Sequence, residues 1–358
     1  MKIVISGLGV MGASLAMAIK NSKLNATIYG FDFPDILIQA TKKNIIDKEI
    51  HNWPQDCCDA DVIFLATPIA VIKNHLADLN NIVSKTCVVT DLGSTKNEIE
   101  NHCKTINFSG EYIGSHPMTG AEKSGINAAN PLLYENAVYI LSGQKESVNK
   151  EVTRKLIPVL ESVKARIFFL GAEEHDKTLA YISHLPQIVA VALMNSVGFK
   201  NNELEHCFDL AAGGFRDLTR IASSSPEIWQ DIVNSNKKNI EDSIDIFIKH
   251  LTKQKTNLGN LKEGFEKAND YRSLIPKINK GFLSPLTDVL VYVNDQKGVI
   301  AKISNELFSK NIDIRDIELL KIREKEGGVF MLSFENVSKA LEAVKILKSI
   351  NYNAFIKE

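Results

Sequence analysis

Residues 114–125 read GSHPMTGAEKSG, and His116 near their start is the side chain best suited to general acid–base work. An imidazole with an unperturbed pKa of about 6.5 can take a proton from a hydroxyl whose carbon is losing hydride. Small residues keep such a loop close to a ligand, and Pro117 fixes the backbone that follows. A histidine before a proline is also an ordinary solvated turn, so the neighbouring motifs have to weigh the two. In VVTDLGSTKNEI, Ser94 offers a hydroxyl to a substrate or to a catalytic histidine. Equally, Ser94 or Thr95 is a helix cap, with Glu98 closing a capping box from Thr95. His184 stands two residues before Pro186, either as a polar group of a pocket or as an interior histidine bonded to a carbonyl that the proline frees. AAGGFRDLTRIASSSPEIW joins a glycine pair to Asp217, Arg220 and Trp229. Arg220 is a natural bidentate clamp for a carboxylate, while Asp217, three residues earlier, shares its helix face and can simply pair with it. His51, His75, His102, His175, His206 and His250 read as structural or solvated.

The second chemical signal lies at the start of the chain. ISGLGVMGASL places Gly7, Gly9 and Gly12 as G-x-G-x-x-G between a strand and a helix, with Leu8, Val10 and Met11 between them. The first glycine permits the turn, the second lets backbone approach a pyrophosphate, and the third lets helix pack closely on strand. The next strand, ATIYGFD, ends at Asp32, twenty residues after Gly12. A carboxylate there bonds adenosine ribose hydroxyls and repels a 2′-phosphate, which favours NAD over NADP. Thr67 and Pro68 close the strand VIFLAT, either at the ligand-binding edge or as an ordinary strand-ending turn.

These residues need elements to hold them. From residue 1 to 171, KIVISG, ATIYGFD, VIFLAT, CVVTDLG, YIGSHP, AVYILSG and ARIFFLG read as strands alternating with helical patterns. That predicts a Rossmann-type, doubly wound, mainly parallel α/β sheet with His116 at its carboxyl edge. Residues 172–280 carry helical periodicity only. Their first helix has Leu179, Ile182, Leu185, Val189 and Leu193 at three- and four-residue spacing, and further patterns follow at PEIWQDIVNSN, NIEDSIDIFIKHLTKQ and near 258–275. Residues 286–358 return to β-α-β-β-α-β order, a ferredoxin-like plan, after a linker in INKGFLSP at 278–285.

The 358 residues suffice for two or three domains. Lysine plus arginine (42) nearly cancels aspartate plus glutamate (43), leaving a net charge of −1. That excludes a general field for nucleic acid or an acidic membrane. The five cysteines form no C-x-x-C pair, so neither a metal nor a dithiol site is expected, and they read as reduced thiols. No cleavable leader and no run of about 18 apolar residues is visible, so a cytoplasmic protein that spans no membrane is expected.

Taken together, GLGVMG, DLGSTK, GSHPMTGAEKSG, YISHLPQ and GGFRDLTRIASSSPEIW resemble the prephenate and arogenate dehydrogenase family of tyrosine biosynthesis over most of residues 1–280. VNDQKGVIAKISNELFSKNIDI resembles the start of an ACT domain. The resemblance implies NAD-dependent oxidative decarboxylation of prephenate, with His116 taking or polarising the hydroxyl proton and Ser94 orienting it. It implies that Arg220 holds a substrate carboxylate and that His184 is a polar residue of the pocket. Asp217, Glu122 and Trp229 match residues around its entrance. Many relatives carry serine or threonine where this chain has Ala121, which leaves the choice between prephenate and arogenate open. The family also implies a homodimer or higher homo-oligomer. The ACT resemblance implies an amino-acid effector, tyrosine for example, near Asn294, Asp295 and Gly298, with a partner surface near Asn311 and Ile312. The other reading of that module is dimerisation with no ligand. A different Rossmann-plus-helical dehydrogenase, such as a β-hydroxyacid dehydrogenase, is the alternative enzyme, and a non-catalytic metabolite sensor is the alternative class.

Overall fold

A computed structural model describes residues 1–120, 123–145, 148–201, 203–275, 286–294, 296–323 and 327–357. They divide into two compact units, Met1–Leu261 and Lys262–Glu358. The linker expected at 278–285 lies outside the described residues.

In the first unit, β1 (Lys2–Ser6), β2 (Thr27–Phe31), β3 (Lys48–Glu49), β4 (Val62–Leu65), β5 (Val88–Asp91) and β6 (Glu111–Ile113) form a parallel sheet in the order β3-β2-β1-β4-β5-β6. Helices α1 (Val10–Asn21), α2 (Pro34–Lys42), α3 (Ile69–Leu79) and α4 (Asn97–Thr105) connect the strands. The near-continuous apolar strands have a physical reason. Ile3, Ile5, Val62 and Phe64 face one core, and Val4, Ile63 and Leu65 face another on the opposite side. Each such side chain stabilises the sheet by roughly 2 kcal/mol on burial. Strand order reverses between β1 and β4, which opens a crevice at the carboxyl ends of those strands.

The single doubly wound sheet expected over 1–171 is corrected in one place. YIGSHP is not one strand: it breaks at Gly114 into β6 and β7 (Ser115–Pro117). β7 pairs antiparallel with β8 (Val138–Leu141), and β8 pairs parallel with β9 (Arg166–Phe169), in a separate three-stranded sheet. His116 therefore still follows the carboxyl end of parallel β6, but it is held on β7, opposite Ile140. The switch is tightly packed, since a Cβ on Gly114 would lie 2.6 Å from Ser142 Oγ and 3.2 Å from Lys96 Cδ.

After α5 (Ile157–Ser162) and β9 the unit is helical: α6 (Ala172–Leu179), a π-helical turn over Ala180–His184, α7 (Leu185–Asn201), α8 (Gly213–Thr219) and α9 (Pro226–Thr256). The two helical patterns read at PEIWQDIVNSN and NIEDSIDIFIKHLTKQ are one 31-residue helix kinked at Asn236 (φ −129°, ψ 23°). Of the apolar stripe read in the first helix, Leu179 is buried, Leu185, Val189 and Leu193 are part-buried, and Ile182 is 63% exposed. The buried face carries His175, Asp176, Leu179, Ala180, His184, Gln187 and Ala190. The π-turn adds one residue to the repeat between Leu179 and His184, which returns His184 to that face. By length and composition alone, the continuous run Ala172–Asn201 could cross a membrane. The polar groups on its packed face mark it instead as a helix of this unit.

The second unit contains α10 (Lys262–Ser273) and then β10 (Thr287–Val293), α11 (Val299–Ser309), β11 (Asp316–Arg323), β12 (Gly327–Phe334), α12 (Val337–Ser349) and β13 (Asn353–Ile356). Its strands form an antiparallel sheet in the order β11-β12-β10-β13. Val289 and Val291 of β10, Ile303 and Leu307 of α11, and Ala343 and Leu347 of α12 share one core.

Candidate active site

The glycine loop is shaped as a cradle. Gly7 has φ +91°, and a Cβ on it would meet the Ala66 carbonyl oxygen at 2.6 Å. A Cβ on Gly12 would lie 1.9 Å from the Gly7 carbonyl oxygen, whereas one on Gly9 would meet nothing within 4 Å. Gly7 and Gly12 are thus demanded by the fold, while Gly9 opens onto the space that a pyrophosphate would take. Gly9 precedes α1, whose first turn has no acidic residue, so its free amides suit an anion. Leu8 lies in the core, while Val10 and Met11 are part-exposed at the helix start. Asp32 closes β2, and its carboxylate accepts from the amides of Leu8 (2.6 Å) and Phe33 (2.7 Å). Thr67 Oγ1 is buried without a partner, and Pro68 caps α3. A dinucleotide fits these residues: open backbone at Gly9, a carboxylate at the end of β2 and an orphan hydroxyl at the end of β4.

His116 is held from two sides. Lys96 and Asp91, both fully buried, form an ion pair, and Lys96 Nζ also donates to the Ser115 carbonyl oxygen at 2.6 Å. Tyr112 Oη donates to Asp91 Oδ2 at 2.7 Å. Breaking such a buried pair from one side typically costs about 3–5 kcal/mol, so the backbone beneath His116 is rigidly placed. From the helical side, His116 Nδ1 lies 2.9 Å from His175 Nε2, and His175 Nδ1 lies 2.7 Å from Asp176 Oδ1. Burial holds the His116 pKa well below the ordinary imidazole value, with His175, Lys96 and His184 acting in the same direction.

The cap expected at Ser94 or Thr95 is not made. α4 begins at Asn97, and Asp176 accepts from the amides of Lys96 (2.8 Å) and Asn97 (2.9 Å). Thr95 Oγ1 instead bonds Ser235 Oγ of α9 at 2.8 Å. Ser94 is part-exposed, and its hydroxyl has no partner among the described residues.

His184 is buried against Trp229, with ring centroids 6.0 Å apart and an edge-to-face arrangement. Asn236 Nδ2, at the kink of α9, donates to the Asp176 carbonyl oxygen (2.7 Å) and to His184 Nδ1 (3.2 Å). His184 Nδ1 is therefore an acceptor, and Nε2 carries the hydrogen. Gln187, on the same helix face, donates to the Ile221 carbonyl oxygen at 2.9 Å, which ties the turn opened by Arg220 to α7. Asp217 and Arg220 are both exposed. Ala121 and Glu122 lie outside the described residues, as does Asp295.

Burial lowers the His184 pKa from 6.5 to about 4, with Asp176 opposing and His175 reinforcing the shift. As pH falls, the unfolded chain binds this proton before the folded chain does. The contribution is complete above pH 6.5 and is lost as pH falls toward about 4, an effect of about 3 kcal/mol. Urea unfolding across that window should show native protein losing more stability than His184→Gln. Equal losses would contradict the assignment.

Sequence reasoning missed His175, Asp176, Lys96 and Asn236. His175 is not solvated: it is fully buried and bonded on both ring nitrogens. Of the other histidines set aside with it, His75 bonds Ser6 Oγ and His102 the Lys73 carbonyl, while His51, His206 and His250 are exposed. A cleft of about 860 Å³ along α4 and β6 contains none of the candidate residues. In the second unit a cleft of about 240 Å³ is lined by Asn294, Gly298, Ile300, Leu319 and Phe330. Asn311 is exposed, whereas Ile312 is buried in the core and so is withdrawn from any partner surface.

Comparison with known proteins gives two family-model matches: "Prephenate dehydrogenase, nucleotide-binding domain" over residues 15–169 and "Prephenate dehydrogenase, dimerization domain" over 171–268. A prephenate dehydrogenase of Bacillus subtilis is 35% identical over 343 residues, 93% of this chain and 92% of its own length. One from Lactococcus lactis is 34% identical, with 97% of each chain covered. Among solved structures, a prephenate dehydrogenase from A. aeolicus, in complex with hydroxyphenyl propionate and NAD+, matches with a TM-score of 0.70 at 30% identity. That match covers 77% of this chain and 98% of the other.

Proposed function

Because the chain belongs to the prephenate dehydrogenase family, we propose that it carries out the NAD-dependent oxidative decarboxylation of prephenate to 4-hydroxyphenylpyruvate. The observation that carries the reading is the pairing, in one unit, of an open glycine cradle with a histidine whose Nδ1 is already engaged.

NAD, held by the Gly7–Gly12 loop, Asp32 and the Thr67–Pro68 edge, supplies the hydride acceptor. His116 Nε2 accepts the hydrogen bond of the ring hydroxyl and draws the proton off the oxygen as its carbon loses hydride. The ring carboxylate leaves as carbon dioxide, the ring becomes aromatic, and His116 returns the proton to the phenol oxygen. Ser94, whose hydroxyl has no partner among the described residues, bonds the ring hydroxyl and orients His116. Arg220 holds a substrate carboxylate, and the Nε2–H of His184 is directed to a substrate oxygen, with Trp229 fixing its ring. Asp217, Glu122 and Ala121 keep the roles around the pocket that the family resemblance implies.

In the same reading the chain is a cytoplasmic homodimer or higher homo-oligomer built through the segment matched to the dimerization model. Ile182, Phe199, Leu218 and Leu251 there are exposed and apolar, as a covered face requires. Residues 1–171, 172–280 and 286–358 serve as cofactor, substrate and regulatory segments. The β-α-β-β-α-β order of the last segment supports a ferredoxin-like ACT module. The cleft lined by Asn294 and Gly298 supports an amino-acid effector such as tyrosine.

NAD reduction should be followed with prephenate and arogenate offered separately, with and without tyrosine. Turnover of prephenate with at least tenfold higher kcat/KM than arogenate, suppressed by tyrosine, is the expected result, about the discrimination one polar group can supply. Preference for arogenate would reassign the substrate. Turnover indifferent to tyrosine, with no tyrosine binding, would make the last module a dimerisation element.

A further inference from the structure

We propose that His175 and Asp176 are positioning residues that hold His116 in its Nδ1–H tautomer, so that Nε2 carries the lone pair that meets substrate. The inference rests on the proton-accepting role proposed above for His116. Its starting point is Asp176, only 2% exposed and bonded through both carboxylate oxygens. Oδ1 accepts from the Lys96 amide and from His175 Nδ1, and Oδ2 accepts from the Asn97 amide. Two amides at the start of α4, with the helix dipole behind them, stabilise the anionic carboxylate.

An anionic carboxylate can only accept, so the hydrogen between Asp176 and His175 sits on His175 Nδ1. With both rings neutral, His175 Nε2 then has a lone pair and no hydrogen. It lies 2.9 Å from His116 Nδ1, so the hydrogen between the rings must belong to His116. For two neutral rings one order satisfies every atom: Asp176 accepts from His175, His175 accepts from His116, and His116 Nε2 is left basic. When Nε2 takes the substrate proton, the ring becomes an imidazolium whose Nδ1–H already points at an acceptor.

The placement is particular to these two elements. His175 and Asp176 are adjacent on α6, yet one reaches His116 on β7 and the other the first amides of α4. One carboxylate thus ties the start of the helical segment to the edge of the nucleotide-binding sheet and fixes the tautomer of the base.

Two variants of the full-length protein separate positioning from mere packing. Asparagine at 175 can keep the hydrogen bond to Asp176 but has no atom where Nε2 stood. Glutamine at 175 places an amide oxygen near that point. His175→Asn is expected to lower kcat about 100-fold with KM for prephenate and NAD within about threefold, and His175→Gln to recover most of the loss. In native protein with ¹⁵N-labelled histidine and no substrate, His116 should show a protonated Nδ1 and an unprotonated Nε2. In His175→Asn that signature should become a tautomer mixture, and His175→Gln should restore it. Equal losses in both variants would overturn the proposal, as would an Nε2–H tautomer in the native protein. The second readout stands even if a variant fails to fold. The expected tautomer in a protein that turns over no prephenate would leave this inference intact and remove the functional reading instead.

Discussion

His116→Asn is expected to lower kcat by about three orders of magnitude while NAD affinity stays within about twofold of native. Asparagine's amide nitrogen falls near the position of Nδ1, so the hydrogen bond to His175 Nε2 and the backbone anchor through Lys96 and Ser115 can both persist. What disappears is Nε2, the one atom assigned to the substrate hydroxyl. Cofactor affinity is spared because the cradle is built from other residues, on β1, β2 and β4. The native pH profile carries the same assignment. The base must be neutral, and burial lowers its pKa well below 6.5, so kcat/KM should hold as pH falls through 6.5 and decline only below it. A His116→Asn enzyme with native turnover, or an acid limb centred above the ordinary imidazole range, would contradict the role.

The second large effect concerns the glycine loop, where two neighbouring substitutions should fail differently. Gly12→Ala places a methyl group 1.9 Å from the Gly7 carbonyl oxygen and 3.1 Å from Ala66 Cβ. Backbone must move, α1 must lift from β1, and an overpacking loss of about 3 kcal/mol is expected together with loss of NAD binding. Gly9→Ala places its methyl in open space, so Tm should be unchanged while NAD binding weakens at least about tenfold, because backbone can no longer approach the pyrophosphate. Thermal unfolding and NAD titration on both variants check this. Equal Tm losses, or native NAD affinity in Gly9→Ala, would remove the cradle assignment.

The cofactor half was largely legible in the sequence. Its signals are local: glycines at fixed spacing, an aspartate at the end of the next strand, and strands buried on both faces. The strand carrying His116 was misread because Gly114 divides YIGSHP between two sheets, and nothing in its apolar run marks the division. The helical half was harder for two physical reasons. A π-turn at Ala180–His184 shifts the repeat, so a constant 3.6-residue period drifts off the buried face. That buried face is also polar, with His175, Asp176, His184 and Gln187 inward, while Ile182 faces out. Hydrophobic periodicity finds faces that are buried for stability. This one buries polar groups that bond one another and other segments, and a spatial partner such as His116, far away in the chain, cannot be seen from spacing.

The most direct test of the central claim is the stoichiometry of one reaction. Purified protein with saturating NAD would be given prephenate labelled in the ring carboxylate, with NADH absorbance and released labelled carbon dioxide recorded together. One carbon dioxide released for each NADH formed, with 4-hydroxyphenylpyruvate as product, is the predicted result. NADH without carbon dioxide would mean a simple alcohol oxidation, and no NADH at all would contradict the assignment of His116 and the glycine cradle to a common reaction.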